Sequence, residues 1–332
     1  MEEIGVSVLC ATYNQEKYIR QCLEGFIMQK TNFPFEVIVH DDASTDKTPE
    51  IIKEYAEKYP NIIKPIYQKE NQYSKGKAIS LECIFPKTKG KYLAWCEGDD
   101  FWIDENKLQL QYNIMEKHTD CHLCIHKVQM INESGEKLNR TLPNFNLQEK
   151  LMTTEDFLRM VFIKFQIQTN CYFVRREDYE IYIKNFKVIR QIFRKHGVGD
   201  DAMMMFFGQL NGIYYINKIM SKYRYNALGS WTKKSKLLSE KKQIERRLDF
   251  IKAMEEFDKY TSYKYHKLCI LRMLHFSIEI VKLTTNRKDL LFKNRKEFFG
   301  RFNFFQKSVL LMYILFPNLA TQLRKIYKIF KY

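Results

Sequence analysis

The sequence is poor in the two residues that interrupt regular structure, with 12 glycines and 7 prolines among 332 residues. This scarcity excludes collagen-like and low-complexity chains, which are rich in one or both. Long apolar runs are also absent. The longest is Val309–Phe316, well short of the roughly 20 residues that a membrane-spanning helix needs. We therefore expect a globular chain without a spanning helix, made of about two domains or of one large α/β domain with an extension.

The N-terminal residues lack the basic segment and apolar stretch that form a secretion signal. We therefore expect a cytoplasmic protein whose eight cysteines are reduced thiols. Cys121, Cys124 and the nearby histidines suggest a zinc site. A strand would place these two cysteines on opposite faces, and no second pair follows at zinc-finger spacing, so we favour the strand.

Positive charge is concentrated in the last third of the chain. Residues 1–221 hold 29 Lys and Arg against 30 Asp and Glu, whereas residues 222–332 hold 26 against 9, a net charge of +17. This asymmetry argues against a uniformly basic nucleic-acid-binding protein, and no nucleic-acid motif supports that alternative. Basic residues mixed with aromatic ones, as in Arg324–Tyr332, suit a helix on an anionic membrane surface. The alternative is a packed helical appendage with a solvated basic face.

Short apolar segments alternate with amphipathic helical segments over the first hundred residues. The predicted strands are Ile4–Cys10, Phe35–His40, Ile62–Tyr67 and Tyr92–Cys96. Such alternation is typical of a parallel sheet wound with helices. We predict an α/β fold with a Rossmann-like, doubly wound, mainly parallel sheet and a C-terminal helical extension.

The alternation is looser after residue 101. There we predict a polar connection over residues 132–150 and a helix at Ala202–Leu210. The further predicted strands are Cys121–Ile131, Thr169–Val174, Ile213–Ile216 and Tyr223–Tyr225.

Three acidic clusters lie at strand ends or beside a helix: Asp41-Asp42, Glu97–Asp100 and Asp200-Asp201. Adjacent carboxylates repel each other, so a fold keeps them where cations or hydrogen-bond donors lie among them. In a parallel sheet, the loops that follow the strands lie at one edge, and bound molecules occupy the crevice there. Oxygen ligands suit Mg²⁺ or Mn²⁺, and hence a diphosphate. The alternative for the first and third pairs is an N-cap of the helix that follows.

Three segments in this order resemble the motifs of family 2 glycosyltransferases of the GT-A fold: VSVLCATYNQEKYI, VIVHDDASTDKT and KGKYLAWCEGDDFWIDENKLQLQ. The loop GDDAMMMFF near residue 200 fits a fourth motif. The resemblance covers about residues 4–230. It implies transfer of a hexose or N-acetylhexosamine from a UDP-sugar to a hydroxyl, with inversion and with Mn²⁺ or Mg²⁺. We expect a glycan or lipid-linked acceptor for a bacterial capsule or lipopolysaccharide, with the protein peripheral on the inner face of the cell membrane.

The resemblance also implies a division of the chain. It makes residues 1–230 the catalytic domain, with a nucleotide-binding half of about 1–104 and an acceptor half of about 105–230. Residues 231–332 form the basic helical region.

The resemblance implies roles for individual residues. Asp42 would accept the uracil N3–H, Asp99 would lie near the ribose, and Asp100 would hold the metal. Asp201 would be the catalytic base, with Asp200 as its support. The loop that would line the nucleobase, with the tyrosine stacking on it, is Ala11, Thr12, Tyr13 and Asn14.

Several positions depart from the family pattern or are less specific. Glu97 stands where the metal motif commonly begins with Asp, and it would contact a donor hydroxyl or be structural. Arg224 would contact the diphosphate in place of a missing histidine, or would be a surface arginine. Lys75 is a further candidate for the diphosphate, with Lys77 as an alternative that the spacing does not exclude, and Trp102 is a candidate for the acceptor wall. The rival enzyme class, a nucleotidyltransferase, needs a glycine-rich basic loop where this chain has Ala11–Asn14.

Overall fold

The computed structural model describes residues 3–143, 148–164, 167–196, 199–227, 230, 233, 235, 237–285, 287, 290 and 299–317. The chain divides into two compact units. The first comprises Met1–Phe157, Phe165–Lys187 and Gly199–Lys236, and the second comprises Leu158–Lys164, Val188–Val198 and Leu237–Tyr332. The second unit therefore includes two segments from the middle of the chain, so no single position in the sequence separates the two units.

The first unit is built on one curled sheet. Its strands are β1 (Val6–Thr12), β2 (Phe35–Asp41), β3 (Ile63–Tyr67), β4 (Tyr92–Trp95), β5 (Phe101–Trp102), β6 (Leu123–Ile131), β7 (Lys137–Leu142), β8 (Lys150–Met152), β9 (Phe173–Arg175) and β10 (Ile213–Arg224). The order across the sheet is β3-β2-β1-β4-β9-β6-β10-β5, with β7 paired to β6 and β8 to β10. The four N-terminal strands are mutually parallel, and β9 joins β4 to β6 in antiparallel pairing.

Some helices cover this sheet within the first unit, and other helices form the second unit. They are α1 (Ile19–Ile27), α2 (Thr48–Lys58), α3 (Lys107–Lys117), α4 (Thr154–Lys164), α5 (Arg176–Asn185), α6 (Lys187–Lys195), α7 (Gly199–Gln209), α8 (Glu240–Tyr260), α9 (His266–Leu283) and α10 (Phe304–Leu315). Short turns of other helix types occupy Ile79–Ile84, Phe85–Lys87 and Thr169–Cys171. No helix in the described ranges is both long and apolar enough to cross a membrane.

The parallel strands form where the apolar runs predict them. Every residue of β2 and β4 is buried, as expected for strands covered by helices on both faces. Val8 pairs with Val37 on one side and with Ala94 on the other. This register brings the ends of β1, β2 and β4 to one edge of the sheet. The predicted α/β fold with a mainly parallel sheet and C-terminal helices is confirmed.

Three local predictions in the second half of the sheet were wrong. The connection over residues 132–150 contains one strand, β7, and a second, β8, begins at its last residue. The two short strands expected near 213 and 223 are one strand, β10, whose pairing with β6 shifts register between Ile216 and Ser221. Polar residues at that irregularity hid the continuity. The segment expected to be a strand from Thr169 begins as a tight helical turn, and β9 follows it.

Candidate active site

The loop after β1 leaves one aromatic ring exposed. Ala11 and Thr12 belong to β1, and Thr12 is buried. Asn14 has a φ of 52°, a left-handed conformation that asparagine tolerates better than most residues. Its main-chain N–H donates to Ser44 Oγ at 2.8 Å, and its Oδ1 accepts the N–H of Thr45 at 2.8 Å. These bonds hold the loop while Tyr13 stays 43% exposed, so its ring face is available for stacking.

Asp42 is buried at the end of β2 and holds the segment after β3. Its two carboxylate oxygens accept the main-chain N–H groups of Gln72 at 2.7 Å and Tyr73 at 3.0 Å. The helix that follows, α2, has Lys47 at its N-cap position. The N-cap interpretation of the Asp41-Asp42 pair is therefore wrong. Each carboxylate oxygen has a second lone pair, so Asp42 retains acceptor capacity for a base.

Lys75 lies in the same segment and is exposed. Its ammonium group is paired with the carboxylate of Glu70. A contact between Lys75 and a diphosphate stays a prediction, and it would need this surface ion pair to open.

The loop after β4 carries three carboxylates in a confined space. It packs on β1, because the N–H of Gly98 donates to the carbonyl of Ala11 at 3.0 Å. A Cβ on Gly98 would lie 2.9 Å from two side-chain atoms of Thr12, so only glycine allows this approach. Burial raises the pKa of Glu97 to about 7, with the charges of Asp99 and Asp200 contributing. The pKa of Asp100 is raised well above its usual value by burial and by the charges of Asp99 and Glu97.

Two of these carboxylates are held by a turn that the sequence did not identify. Thr169 Oγ1 lies 2.9 and 2.8 Å from the two carboxylate oxygens of Glu97. Asn170 Nδ2 donates to Asp100 Oδ2 at 2.9 Å. The contact residues are about 70 positions apart in the chain, and the polar pair Thr-Asn before an apolar strand was the only local signal.

Arg224 is buried beside the same loop. Its main-chain N–H donates to Asp100 Oδ1 at 2.8 Å, and its Nε donates to the carbonyl of Asp99 at 3.1 Å. Its guanidinium lies 4.5 Å from the ring centroid of Tyr18. The side chain is only 4% exposed, so the surface-arginine interpretation is wrong. Arg224 also lines a cavity of about 720 Å³ together with Lys17, Gln21 and residues 132–135.

Trp102 does not form an acceptor wall. It is 1% exposed and packs edge-on against Phe26, with ring centroids 4.9 Å apart. Its indole N–H donates to the carbonyl of Asn170 at 3.2 Å. The prediction that Trp102 forms an acceptor wall was therefore wrong. Its side chain fills the core beneath the site. Trp95, at the end of β4, is likewise buried.

The first turn of α7 brings the remaining carboxylates to this edge. Asp200 and Asp201 lie inside the helix rather than before it, and Asp201 is buried. Acidic residues in a first turn also interact favourably with the helix dipole. Burial raises the pKa of the Tyr172 hydroxyl, and the charges of Asp200, Asp201 and Glu97 raise it further. All three carboxylates therefore lie close enough to this buried hydroxyl for their charges to act on it.

The donor set fits a divalent cation held jointly with a diphosphate. Within the described ranges, no three His, Cys, Asp or Glu side chains are grouped closely enough to form a metal site alone. Mg²⁺ and Mn²⁺ typically use one or two carboxylates and complete their coordination with phosphate oxygens and water. Asp100 matches that pattern, since its oxygens receive neutral N–H donors and the neighbouring carboxylates leave an excess of negative charge.

The fold and the site define an α/β protein with a cluster of carboxylates at the edge of a mainly parallel sheet. The family model for glycosyl transferase family 2 matches residues 7–192. The chain belongs to glycosyl transferase family 2.

Similar proteins agree with this assignment. An uncharacterized protein of Mycobacterium tuberculosis is 36% identical over 228 residues, which are 68% of this chain and 60% of that protein. The chain thus spans 60% of the length of this relative. The Escherichia coli UDP-Glc:alpha-D-GlcNAc-diphosphoundecaprenol beta-1,3-glucosyltransferase WfaP is 34% identical over 111 residues, 33% of this chain and 41% of that protein. The crystal structure of S. aureus TarS 1–349 with UDP-GlcNAc has a TM-score of 0.57 at 18% identity, covering 94% of this chain and 80% of that chain. The likeness to TarS shows the GT-A fold.

The structure predicts that Asp42→Asn loosens the segment after β3. An asparagine has one acceptor oxygen, so its NH₂ group would face one of the two main-chain N–H groups that the carboxylate now accepts. The loss should be about 1–3 kcal/mol in the free energy of unfolding. Amide exchange at Gln72 and Tyr73 should become faster. Glu70→Gln, on the exposed side of the same segment, is the control, and unchanged exchange in Asp42→Asn would contradict this role.

Proposed function

We propose that this protein is an inverting, metal-dependent glycosyltransferase that moves a sugar from a UDP-sugar to an acceptor hydroxyl in the synthesis of a bacterial surface polysaccharide. The observation that supports the proposal is that carboxylates from two elements lie near one another. The loop after β4 carries Glu97 and Asp100, and the first turn of α7 carries Asp200 and Asp201. The charge of Asp200 contributes to the raised pKa of Glu97, and the charges of Glu97, Asp200 and Asp201 contribute to that of Tyr172. In an in-line displacement the base and the leaving group lie on opposite sides of the reacting carbon, which two separate elements can provide.

The nucleoside end of the donor is assigned to the loop after β1 and to Asp42. The exposed ring of Tyr13 offers a stacking face. Asp42 accepts a uracil N3–H, for which its remaining lone pairs serve, and Asp99 lies near the ribose. WfaP is a UDP-Glc-dependent glucosyltransferase by name, and TarS was crystallised with UDP-GlcNAc. They support a UDP-hexose or a UDP-N-acetylhexosamine as the donor.

The diphosphate end of the donor is assigned to Asp100 and Arg224. Asp100 would hold a Mg²⁺ or Mn²⁺ ion, which would supply positive charge to the leaving diphosphate. The buried guanidinium of Arg224 adds a fixed positive charge beside the same loop. Lys75 is the third candidate for the diphosphate.

The acceptor is a glycan or lipid-linked hydroxyl, and Asp201 is its general base. A base must approach the hydroxyl from the side opposite the leaving group, and a carboxylate on α7 meets that need without competing for the metal. Asp200 supports it, since its carboxylate shares the first turn of the helix. Glu97, held by Thr169, contacts the donor sugar or orders the loop.

Asp100→Ala should abolish the metal-dependent part of UDP binding, because the hydrated cation loses its protein carboxylate. Titration of UDP by calorimetry, with and without Mn²⁺, measures this. The matched control is Asp178→Ala, which removes a buried carboxylate paired with His122 at 2.9 Å. Metal-dependent affinity that survives in Asp100→Ala would refute the assignment of Asp100 as the metal ligand.

The role of Asp42 in selecting uracil has its own test. Equal binding of UDP and GDP to the wild-type protein would refute it.

Asp201→Asn should abolish transfer while sparing donor binding. An amide is nearly isosteric but does not take the hydroxyl proton, and loss of a general base lowers the rate by roughly 10²–10⁴-fold. The loss should appear in turnover and not in UDP affinity, because this interaction strengthens only as the proton leaves.

The control for Asp201→Asn is Asp156→Asn, which alters an acidic residue in the first turn of α4. If Asp201 only stabilises the helix, both variants should lose a fraction of a kcal/mol to about 1 kcal/mol of stability and keep their transfer rate. Transfer rate, melting temperature and UDP affinity measured on each variant separate the two roles.

We further propose that the second unit binds an anionic membrane surface. Residues 237–332, the C-terminal part of this unit, carry a net charge of +12, from 21 basic and 9 acidic residues. Helix α10 and the residue that follows it expose apolar side chains: Phe304, Phe305, Leu311, Leu315 and Phe316. The first two are 87% and 74% exposed. Aromatic residues beside basic ones are typical of helices that lie in the lipid interface. Arg324–Tyr332, also expected to contribute, lies outside the described residues.

Phe304→Ser with Phe305→Ser should weaken binding to vesicles that contain anionic lipid. Truncation near residue 235 is a poorer test, because the removed part shares a packed unit with residues 158–164 and 188–198. Co-sedimentation at low and high salt measures the effect. Val188→Ser, which alters another exposed apolar residue of this unit, is the control. Equal binding of the double variant and the wild type would contradict the proposal.

A further inference from the structure

The turn Thr169–Cys171 carries a fully buried amide with no spare hydrogen-bonding group. Asn170 Nδ2 donates to Asp100 Oδ2 at 2.9 Å and to the carbonyl of Lys222 at 3.1 Å. Its Oδ1 accepts the hydroxyl of Ser221 at 3.1 Å. An amide has two N–H donors and one carbonyl oxygen, so every part of it is engaged. The orientation of the Asn170 side chain is therefore determined by its partners.

The same contacts determine the orientation of the Asp100 carboxylate. Oδ2 accepts from Asn170, and Oδ1 accepts the main-chain N–H of Arg224 at 2.8 Å. One donor comes from the turn before β9 and the other from the end of β10, so two elements of the sheet clamp the group from different directions. Each oxygen keeps a second lone pair. The carboxylate is thus fixed in rotation while both oxygens can still bind a cation.

The chemical type of the clamp also matters. A lysine or arginine side chain at this position would neutralise the carboxylate and compete with a metal ion for it. A neutral amide orders the oxygens and leaves their negative charge in place. Groups that orient a ligand in this way affect metal affinity although they do not touch the metal.

We propose that Asn170 is a positioning residue that holds the Asp100 carboxylate in the orientation that binds the divalent cation. This inference rests on the proposed function, because it takes Asp100 as the metal ligand. Ser221 acts one step further out, since its hydroxyl fixes the carbonyl end of the Asn170 amide.

The test is the Mn²⁺ affinity of Asn170→Ala in the presence of saturating UDP, measured from the electron paramagnetic resonance signal of free Mn²⁺. We expect a weakening of about 10–100-fold, the usual effect of losing such an orienting partner. UDP binding in the presence of EDTA should stay at the wild-type level, because in the described structure the Asn170 side chain bonds Asp100, Lys222 and Ser221 and none of residues 11–14 or Asp42.

The matched control is Gln29→Ala. Gln29 is another buried amide, and its Nε2 donates to the carbonyls of Gly25 at 3.1 Å and Asp104 at 2.8 Å. In the described structure it has no hydrogen bond to Asp100 or to the turn Thr169–Cys171, so its loss should lower the melting temperature and leave Mn²⁺ affinity unchanged. Equal weakening in both variants would reduce Asn170 to a purely structural residue and overturn the inference.

A second variant keeps the test decisive if Asn170→Ala does not fold. Ser221→Ala removes only the hydroxyl that orients the amide, and it should weaken Mn²⁺ binding less than Asn170→Ala does. Wild-type Mn²⁺ affinity in whichever of the two variants folds overturns the inference. If instead the wild type binds UDP equally with and without Mn²⁺, the proposed function fails and the positioning role fails with it.

Discussion

The hydrogen bonds to one buried carboxylate, Asp100, set the geometry of the candidate active site. Burial and the neighbouring charges of Asp99 and Glu97 disfavour its ionised form. The fold offsets this with an amide from Asn170 and a main-chain N–H from Arg224. Those two donors belong to elements that reach Asp100 only if β9 and β10 take their places in the sheet. The geometry of the site therefore depends on the correct placement of strand β10 and of the turn before β9.

In the described structure, no lysine or arginine side chain donates a hydrogen bond to the carboxylates of Asp100 and Glu97. Donors to Asp100 and Glu97 in the described structure are amides and a hydroxyl, while the guanidinium of Arg224 is directed to main-chain carbonyls and to Gln21. Buried carboxylates without a bonded cation are costly to a fold. A divalent ion with a diphosphate would relieve that cost when the donor binds, so the electrostatic strain of the free site favours the bound one.

How well the sequence predicted the fold differed between the two halves of the first unit. Apolar runs predicted β1, β2 and β4 because strands buried on both faces need no alternation. The later strands were harder, since β10 contains a register irregularity and β7 is largely polar. The burial of Trp102 also could not be predicted from its neighbours in the sequence. An aromatic residue beside an acidic motif suits a binding wall and a core equally well, and only its packing on Phe26 decides.

By itself, the sequence determined the chemistry that is available: three acidic clusters, an aromatic loop after the first strand and the family that these motifs indicate. The tertiary structure alone decided which partners those groups have. Asn170 contacts a carboxylate 70 positions away, and Arg224 is enclosed although its neighbours in sequence are polar. Periodicity and spacing report on neighbours along the chain. The orientation of a buried carboxylate depends on donors that the folded sheet brings from distant segments.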